Sequence, residues 1–409
     1  MNYNLLFNRL VIALAFIIPL SIAGYNLILA ALTLTWVVEA KWKEKWEIIK
    51  VQPVFKAMLI YFIFLVFSLF WTENLSSGIH YVKQYYIFLL LPILYTSIDR
   101  SRIPQFFSAF LAAMIISEII SYLIYFNLMP FQFKPTWSSS DPSPFMMHSI
   151  YSLFLVFSIF LMFARLTYEH RTKFQTFFYT LFIITMTINL FINSGRTGQF
   201  TFLLAMLVFV YLHYRLHWLK ALLLGIPVLS IIFTIAFFGS PNFKNRTIET
   251  FKSIEYTLEK NEACNDSTGQ RIMMWQVASQ IIFEHPVLGV GIGDERDSYN
   301  STLINDLPEL HPYINTFSDM HNTYLKVFVA TGAIGLLLFL WIFYLFFKEL
   351  SLSEELHSVG GVLLIILLQY MFIGNLPAAH LTIMFLLMLS ITLRHPQIKH
   401  LNHFNRSPS

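Results

Sequence analysis

Residues 321–347 have the sequence HNTYLKVFVATGAIGLLLFLWIFYLFF, and this stretch decides the fold class of the chain. No charged residue occurs from Val327 to Phe347, and this run is long enough to cross a bilayer as an α-helix. The dipeptide His321-Asn322 therefore lies where an apolar span meets water. Histidine changes charge near neutral pH, so this junction is a candidate site for proton transfer.

The composition of the whole chain agrees with this interpretation. Its 409 residues are 56% hydrophobic and only 12% charged, whereas about a quarter of the residues of a soluble domain are charged. Long apolar runs recur along the sequence, and the strict alternation of a membrane β-barrel does not. The sequence therefore predicts an all-α integral membrane protein with the lipid bilayer as a partner, and nothing in it indicates nucleic-acid binding.

The apolar runs predict a polytopic helical bundle, and we interpret twelve of them as candidate transmembrane helices. Pro19 and Gly24 interrupt the first long run and divide it into two helices. The twelve candidates are residues 10–22, 25–39, 54–71, 84–98, 105–126, 149–164, 174–193, 199–213, 220–239, 324–347, 358–375 and 379–393.

The basic residues orient this bundle. The short segments expected on one side carry most of the 27 lysine and arginine residues, including Lys41, Lys43 and Lys45. By the positive-inside rule this side is cytoplasmic, and both termini lie there. The predicted organisation is nine transmembrane helices in 1–239, an outer loop with short amphipathic helices in 240–322, three transmembrane helices in 323–393 and a cytoplasmic tail in 394–409.

One helix is predicted inside the outer loop. Ser267-Thr268-Gly269-Gln270 has the spacing of a capping box and Pro286 supplies a stop, so residues 268–284 should be helical. Arg271 then lies in the first turn, where unpaired backbone N–H groups and the guanidinium would together bind a phosphate. The residues expected along one side of this helix are Ile272, Trp275, Ala278 and Ile282.

Two further patterns flank this helix. Apolar residues recur at helical spacing in 248–258 (Ile248, Phe251, Ile254 and Leu258), which predicts an amphipathic helix on the membrane surface or on the bundle. The glycines of GVGIG in 289–293 would offer backbone N–H groups to a phosphate, so Gly289 and Gly291 are candidate substrate-binding residues. A simple turn would explain the same glycines.

Three other features were weighed as candidate sites. Arg196 stands between two glycines in Ser194-Gly195-Arg196-Thr197-Gly198, on the face that the positive-inside rule disfavours, although an arginine at a helix end also snorkels. Glu118 lies within a predicted span, where an ionisable group is either functional or hydrogen-bonded to a neighbouring helix. The acidic residues in 294–297 lack metal-ligand spacing, so we predict no metal and no cofactor.

Three motifs, taken in order, resemble one known family. They are the SGRTG motif at 194–198, the stretch Arg271, Trp275 and PVLGVG at 286–291, and His321-Asn322 followed by Gly332 and Gly335. Their order and the large loop before the last helices are similar to the O-antigen ligase and O-antigen polymerase superfamily of bacterial envelope glycosyltransferases. The resemblance covers residues 194 to 335, and the predicted layout of the whole chain agrees with it.

The resemblance implies a GT-C-like bundle in the bacterial inner membrane, with a periplasmic loop and a periplasmic active site. Such an enzyme transfers glycan from an undecaprenyl-diphosphate donor to an acceptor hydroxyl, without a nucleotide sugar or metal. Arg196 and Arg271 would stabilise the departing diphosphate, and His321 would remove the proton of the acceptor hydroxyl with inversion at the anomeric carbon. Asn322 would orient His321 or a sugar hydroxyl. Gly332 and Gly335 would permit close helix packing.

The motifs leave several functions open. An O-antigen ligase that attaches glycan to lipid A core is slightly favoured over a polymerase that extends a growing glycan, and a protein O-oligosaccharyltransferase is a further alternative. A secondary transporter is the main alternative outside the enzymes. Transporters place ionisable groups near mid-membrane, whereas the cluster predicted here lies at the outer surface. Sugar identity, product length and oligomeric state do not follow from the sequence.

Overall fold

The structure is a computed structural model that describes residues 3–129, 137–214, 218–259, 266–314, 320–376 and 379–395. Apart from short 3₁₀ turns and two isolated β-bridges, the regular structure in these ranges is α-helical. The helices are α1 Tyr3–Ile17, α2 Ile22–Glu39, α3 Trp42–Val51, α4 Pro53–Ser68, α5 Leu75–Gln84, α6 Leu90–Ser97, α7 Ile103–Tyr125, α8 His148–Tyr168, α9 Lys173–Ile192, α10 Arg196–Tyr214, α11 Trp218–Gly239, α12 Pro241–Glu259, α13 Ser267–Glu284, α14 Glu295–Asn305, α15 Thr323–Lys348, α16 Glu354–Tyr370 and α17 Ala379–Thr392.

The bundle has an apolar interior and an apolar outer surface. Helix α8 is buried on all sides from Ile150 to Met162, as expected for a helix that is hydrophobic around its whole circumference. Helices α10 and α16 pack against it. The outer helices instead expose large apolar side chains, such as Leu27 on α2, Phe177 on α9 and Ile231 on α11. An apolar outer surface of this kind is the surface that lipid covers, so this is a multi-pass membrane protein.

The prediction of twelve transmembrane helices is not confirmed. Five helices in the described ranges are long and apolar enough to cross a membrane, and two bent pairs raise this number to seven. The bent pairs are α3 with α4, at 89°, and α11 with α12, at 105°. Several other predicted spans are shorter helices, such as the 14-residue α17, whose residues are almost all buried in protein. A run that is buried in a bundle is as apolar as one that faces lipid, so composition alone does not distinguish a transmembrane helix from a helix buried in protein.

Helix α15 is broken at Gly332, within the segment predicted as one span. Gly332 has φ 64° and ψ −168°, and a Cβ there would collide with the Val287 carbonyl. The break admits the 286–291 segment, because Val290 N–H donates to the Val329 carbonyl at 2.9 Å and Ala333 N–H donates to the Pro286 carbonyl at 2.9 Å. Gly332 therefore permits the close approach of a loop segment, whereas the sequence led us to expect close helix packing.

Substitution of Gly332 by alanine is expected to lower the free energy of unfolding by about 2 kcal/mol or more, because alanine disfavours this left-handed backbone and its methyl group meets the Val287 carbonyl. The measurement is thermal unfolding of the purified protein in detergent. Gly239→Ala is the matched control, since no atom lies within 4 Å of a Cβ at Gly239. Equal stability of the two variants would contradict this account of the break.

The predicted outer loop, 240–322, is called the outer segment below. Its described residues pack against the end of the bundle, because a segment of this size cannot form a core of its own. The predicted helix at 268–284 is confirmed as α13, Ser267–Glu284. Its buried side includes Met273, Val277 and Ile281, which pack in an apolar cluster with Val329 of α15. Of the four residues predicted along one side, Ala278 is buried in this cluster and Ile282 packs against it, whereas Ile272 and Trp275 are half-buried beside it.

The predicted amphipathic helix before α13 is present as α12. It leaves α11 at an angle of 105°, so the two helices are nearly perpendicular. Its apolar residues face outward: Ile248 is 38% exposed, Phe251 69% and Ile254 38%. If α11 crosses the bilayer, α12 runs along the bilayer surface, which is the arrangement that an amphipathic membrane-surface helix adopts. The side chain of Leu258, the fourth predicted member, lies outside the described residues.

Candidate functional site

Arg196 is held in a tight turn between α9 and α10. Asn193 fixes the turn, because its Oδ1 accepts from Gly195 N–H at 2.9 Å and its Nδ2 donates to Ser143 Oγ at 2.8 Å. Gly195 and Gly198 lie directly against Ser152 of α8, and a Cβ at either position would collide with it. The glycines of the SGRTG motif therefore let the start of α10 approach α8 and fix the position of Arg196.

The guanidinium of Arg196 joins α10 to the outer segment. It donates to Ser267 Oγ at 2.6 Å, to Thr250 Oγ1 at 2.8 Å and to Thr268 Oγ1 at 3.4 Å. All three partners are hydroxyls, and within the described residues no carboxylate forms an ion pair with Arg196. These hydroxyls orient the guanidinium, and the carboxylates of Asp266 and Glu249 lie near enough to interact with its charge without forming an ion pair.

Arg271 lies on the second turn of α13, close enough to Arg196 for the two charges to interact. It is half-buried, and among the described residues it has neither a hydrogen bond nor an ion pair. Burial, followed by the nearby Arg196 charge, lowers the pKa of Arg271 from its usual value. Two cations held together in a partly buried position repel each other, and a bound anion would relieve this repulsion.

Asp266 caps α13, and the predicted capping box at Ser267 is wrong. Its Oδ1 accepts from the N–H groups of Thr268 at 2.9 Å and Gly269 at 2.8 Å. Burial favours the neutral acid, but hydrogen bonds from Ser253 and from these two N–H groups outweigh it and hold the pKa of Asp266 below its usual value. An ionised carboxylate accepts more strongly than a hydroxyl, so Asp266 takes the cap position and the Ser267 hydroxyl is available to Arg196.

Helix α13 also links the arginines to His321. Trp275 lies one turn beyond Arg271, and its indole N–H donates to the carbonyl of Met320 at 3.2 Å. His321 follows directly, half-buried, with its backbone in the left-handed region at φ 49°. The structure thus brings Arg196, Arg271 and the His321 segment to the same end of the bundle, around the first half of α13.

Asn322 is the N-cap of α15. Its Oδ1 accepts from Leu325 N–H at 3.1 Å, and the residue is almost fully buried. The next residue, Thr323, is fixed to the α16–α17 connection by its N–H, which donates to the Met371 carbonyl at 2.8 Å, and by its hydroxyl, which donates to the Gly374 carbonyl at 2.8 Å. These contacts make the start of α15 a rigid support for His321. A direct contact of Asn322 with substrate stays a prediction.

The comparison with known families agrees with this geometry. Residues 181–340 match the family model described as O-Antigen ligase, and this range contains Arg196, Arg271 and His321. This match covers less than half of the chain, so it shows similarity to the O-antigen ligase family over residues 181–340. The chain is also similar to a Rickettsia conorii protein named "Putative polysaccharide ligase RC0486", with 34% identity over 106 residues. That alignment covers 24% of this chain and 24% of the relative.

The glycine-rich stretch 289–293 has a structural role. Gly289 and Gly291 both have positive φ angles, 68° and 106°. The N–H of Gly289 donates to the His285 carbonyl at 3.2 Å, and the N–H of Gly291 donates to the Ala330 carbonyl at 3.0 Å. Because both N–H groups are used within the protein, the structure offers no support for the prediction that they bind phosphate.

Two other candidates lie apart from the arginine pair. Glu118 is buried in α7, and Tyr122 and Tyr151 are close enough to interact with its charge. Within the described residues its carboxylate oxygens have no partner at ordinary hydrogen-bond geometry, and Thr185 of α9 is the neighbouring group placed to interact with them. The acidic residues of 294–297 do not converge on a metal site: within the described ranges no group of three His, Cys, Asp or Glu residues is arranged to hold a metal ion.

The hydroxyl groups that orient Arg196 were not predicted from the sequence. Ser267 and Thr268 fit a helix capping box, and Thr250 lies in none of the motifs. Their common signal was weak, because hydroxyl residues at helix ends usually bind backbone groups. Only the contact of α10 with α12 and α13 shows that these three hydroxyls have a shared partner.

Proposed function

We propose that this protein is a membrane glycosyltransferase of the ligase type. It moves glycan from an undecaprenyl-diphosphate donor to an acceptor hydroxyl on the periplasmic face of the bacterial inner membrane. One observation carries the proposal: Arg196 and Arg271 lie together, half-buried and without a carboxylate ion-pair partner among the described residues, at the start of the helix that also contacts the His321 segment.

The arginine pair would bind the diphosphate of the donor. Two guanidinium groups provide planar, paired N–H donors that match phosphate oxygens and remain charged at any physiological pH. The helix N-terminus contributes less than the sequence suggested, because Asp266 occupies the N–H groups of Thr268 and Gly269. As the bond to the diphosphate breaks, negative charge grows on oxygens beside Arg196 and Arg271, and this is where fixed cations lower the barrier most.

His321 would act as the general base. It removes the proton of the acceptor hydroxyl while that oxygen attacks the anomeric carbon of the donor sugar. The anomeric C–O bond to phosphate breaks in the same step, and undecaprenyl diphosphate leaves with the bonding electron pair. A single in-line displacement inverts the configuration at the anomeric carbon. The rigid start of α15, with its Asn322 cap, keeps His321 in place.

The choice between ligase and polymerase is tested in the host. We favour the ligase because the matching family model and the similar protein both carry ligase names. The gene is deleted, and surface glycans are separated on a gel with and without complementation. Core lipid without polymer, together with accumulated lipid-linked polymer, is expected for a ligase. Core bearing a single repeat unit would indicate a polymerase, and an unchanged pattern would contradict both.

Transfer by the purified enzyme is expected to continue unchanged in a chelator such as EDTA, because two guanidinium groups replace the divalent ion that commonly neutralises a departing diphosphate. The measurement is release of undecaprenyl diphosphate from the donor before and after exhaustive dialysis against chelator. A loss of activity that a divalent ion restores would contradict the metal-free mechanism.

A further inference from the structure

Helix α15 has a lipid-facing stripe beyond its break at Gly332. Exposed apolar and aromatic residues recur there every three or four positions: Ile334 is 39% exposed, Leu337 67%, Trp341 38% and Tyr344 59%. The chain carries no charge from Val327 to Phe347, and Lys326 and Lys348 flank this run. The charge-free run marks the part of α15 that lies at the depth of the bilayer hydrocarbon.

The break in α15 lies inside this run. Gly332 follows Val327 by five residues, which is about 8 Å along the helix at about 1.5 Å per residue. A segment that is bonded to the backbone around Gly332 therefore lies within the bilayer, in the leaflet on the His321 side. Residues 286–291 are such a segment.

Residues 283–291, called the elbow below, connect the end of α13 to this break. Two backbone hydrogen bonds join the elbow to α15 before Gly332 and two join it after Gly332. Gly289 permits this approach as Gly332 does, since a Cβ at Gly289 would collide with the Val329 carbonyl. Irregular backbone is tolerated at membrane depth only where protein satisfies its hydrogen bonds, and the broken helix does this for the elbow.

The elbow exposes large apolar side chains. Phe283 is 82% exposed, Val287 57% and Leu288 45%. No charged residue occurs in 286–293. The Val287 carbonyl accepts from the N–H of Ile334, the first member of the stripe, at 3.4 Å. The apolar patch of the elbow therefore continues the lipid-facing stripe, so lipid is the partner that fits it.

Polar neighbours limit how far the elbow enters the bilayer. Glu284 and His285, which follow Phe283, are exposed as well. Such groups stay at the level of the lipid headgroups, so only the apolar side chains reach the hydrocarbon. Apolar groups at a membrane surface enter by about 5–10 Å, which agrees with the depth of about 8 Å at Gly332.

We propose that the elbow is a re-entrant membrane segment and that Phe283, Val287 and Leu288 insert among the lipid acyl chains on the His321 side. The sequence alone assigns this whole segment to an outer loop. Membrane contact by the elbow is independent of the proposed glycan transfer, but it has a consequence for the candidate site. Phe283 and Arg271 are twelve residues apart on α13, about 18 Å along the helix. The elbow thus anchors the helix that carries Arg271 to the bilayer.

The collisions of a nitroxide spin label with two reagents test this contact. Molecular oxygen concentrates in bilayer hydrocarbon, whereas a charged nickel chelate stays in water. Cys264, the single cysteine, is replaced by serine, and the label is attached to Phe283→Cys or to Leu288→Cys. Each labelled protein is placed in nanodiscs of phosphatidylethanolamine and phosphatidylglycerol.

Two matched controls use the same label. Leu337→Cys reports a lipid-facing position, because Leu337 belongs to the stripe. Ile304→Cys reports a water-facing position: Ile304 is an apolar residue of the outer segment, 52% exposed near the end of α14 and followed by Asn305 and Asp306. The pair separates insertion into lipid from exposure and apolar character alone.

The labels on Phe283→Cys and Leu288→Cys should have a ratio of oxygen to nickel collisions several-fold above that of Ile304→Cys and close to that of Leu337→Cys. A ratio equal to that of Ile304→Cys would show a hydrated elbow and overturn the proposal. Poor access of both reagents would assign the patch to a protein contact, such as a second copy of the chain, and would also overturn it. Two label positions keep the test decisive if one variant fails to fold. None of these measurements requires glycan transfer, so failure of the proposed function would not alter their outcome.

Discussion

Arg271→Lys is expected to reduce the rate of glycan transfer by about 100-fold or more. Arg271 has no hydrogen bond or ion pair among the described residues and lies beside Arg196, so its paired guanidinium N–H groups are available for an anion. Lysine keeps the charge but not the planar pair of N–H donors, and the loss of one preformed donor to a developing oxyanion costs roughly 10²–10³ in rate. The measurement is kcat/KM for undecaprenyl diphosphate release.

Arg246→Lys is the matched control for this variant. Arg246 lies on α12, near enough to interact with Arg196, but it is exposed and paired with Glu249 at 3.3 Å. Its replacement should change kcat/KM by less than about threefold, because an exposed ion pair contributes little and Arg246 is not proposed to contact phosphate. Nearly wild-type activity of Arg271→Lys would exclude a bidentate phosphate contact at this position.

His321→Asn is expected to abolish measurable transfer while leaving the protein folded and inserted. Asparagine tolerates left-handed backbone, so it suits the φ of 49° at this position better than alanine does, and it cannot act as a base. Loss of a general base costs roughly 10²–10⁴ in rate. The measurement is transfer to lipid A core, with thermal unfolding recorded on the same preparation.

His285→Asn is a suitable control, because His285 is an exposed histidine of the same outer segment, at the end of α13. It should keep transfer within about twofold of wild type. Substantial activity of His321→Asn would remove His321 as the base. Binding of undecaprenyl-diphosphate-linked glycan should survive in His321→Asn and weaken in Arg271→Lys, which separates loss of chemistry from loss of donor binding.

The two predictions depend on Arg271 and His321, which the sequence indicates in different ways. Arg196 stood out because it lies between glycines, and His321 because it precedes a long apolar run. Arg271 depended on the prediction of α13, which the structure confirms within one residue. A helix start can be read from local sequence, because capping residues and a following proline act over a few positions. The exact N-cap residue of α13 could not be predicted, because Asp266 and Ser267 are both good capping residues.

Two other predictions, the number of transmembrane helices and the phosphate contacts of the glycines, lack support from the structure. The count of twelve transmembrane helices is not confirmed, and composition could not decide it, because burial in protein and burial in lipid select the same apolar residues. The N–H groups of Gly289 and Gly291 were predicted to contact phosphate. They are already bonded to the carbonyls of His285 and Ala330, and Ala330 lies on the broken α15. The Gly291 partner, Ala330, lies far away in the chain, and no local pattern specifies it.

Sequence alone determined that this chain is a helical membrane protein, that it resembles the O-antigen ligase superfamily, and that Arg196, Arg271 and His321 are its candidate functional residues. Composition and short motifs are sufficient for this, because lipid solvation and local backbone chemistry act residue by residue. Only the tertiary structure decided that the hydroxyls of Thr250, Ser267 and Thr268 hold Arg196, and that residues 286–291 pair with the broken α15. These features arise from contacts between distant helices, whose free energies depend on packing and charge in three dimensions.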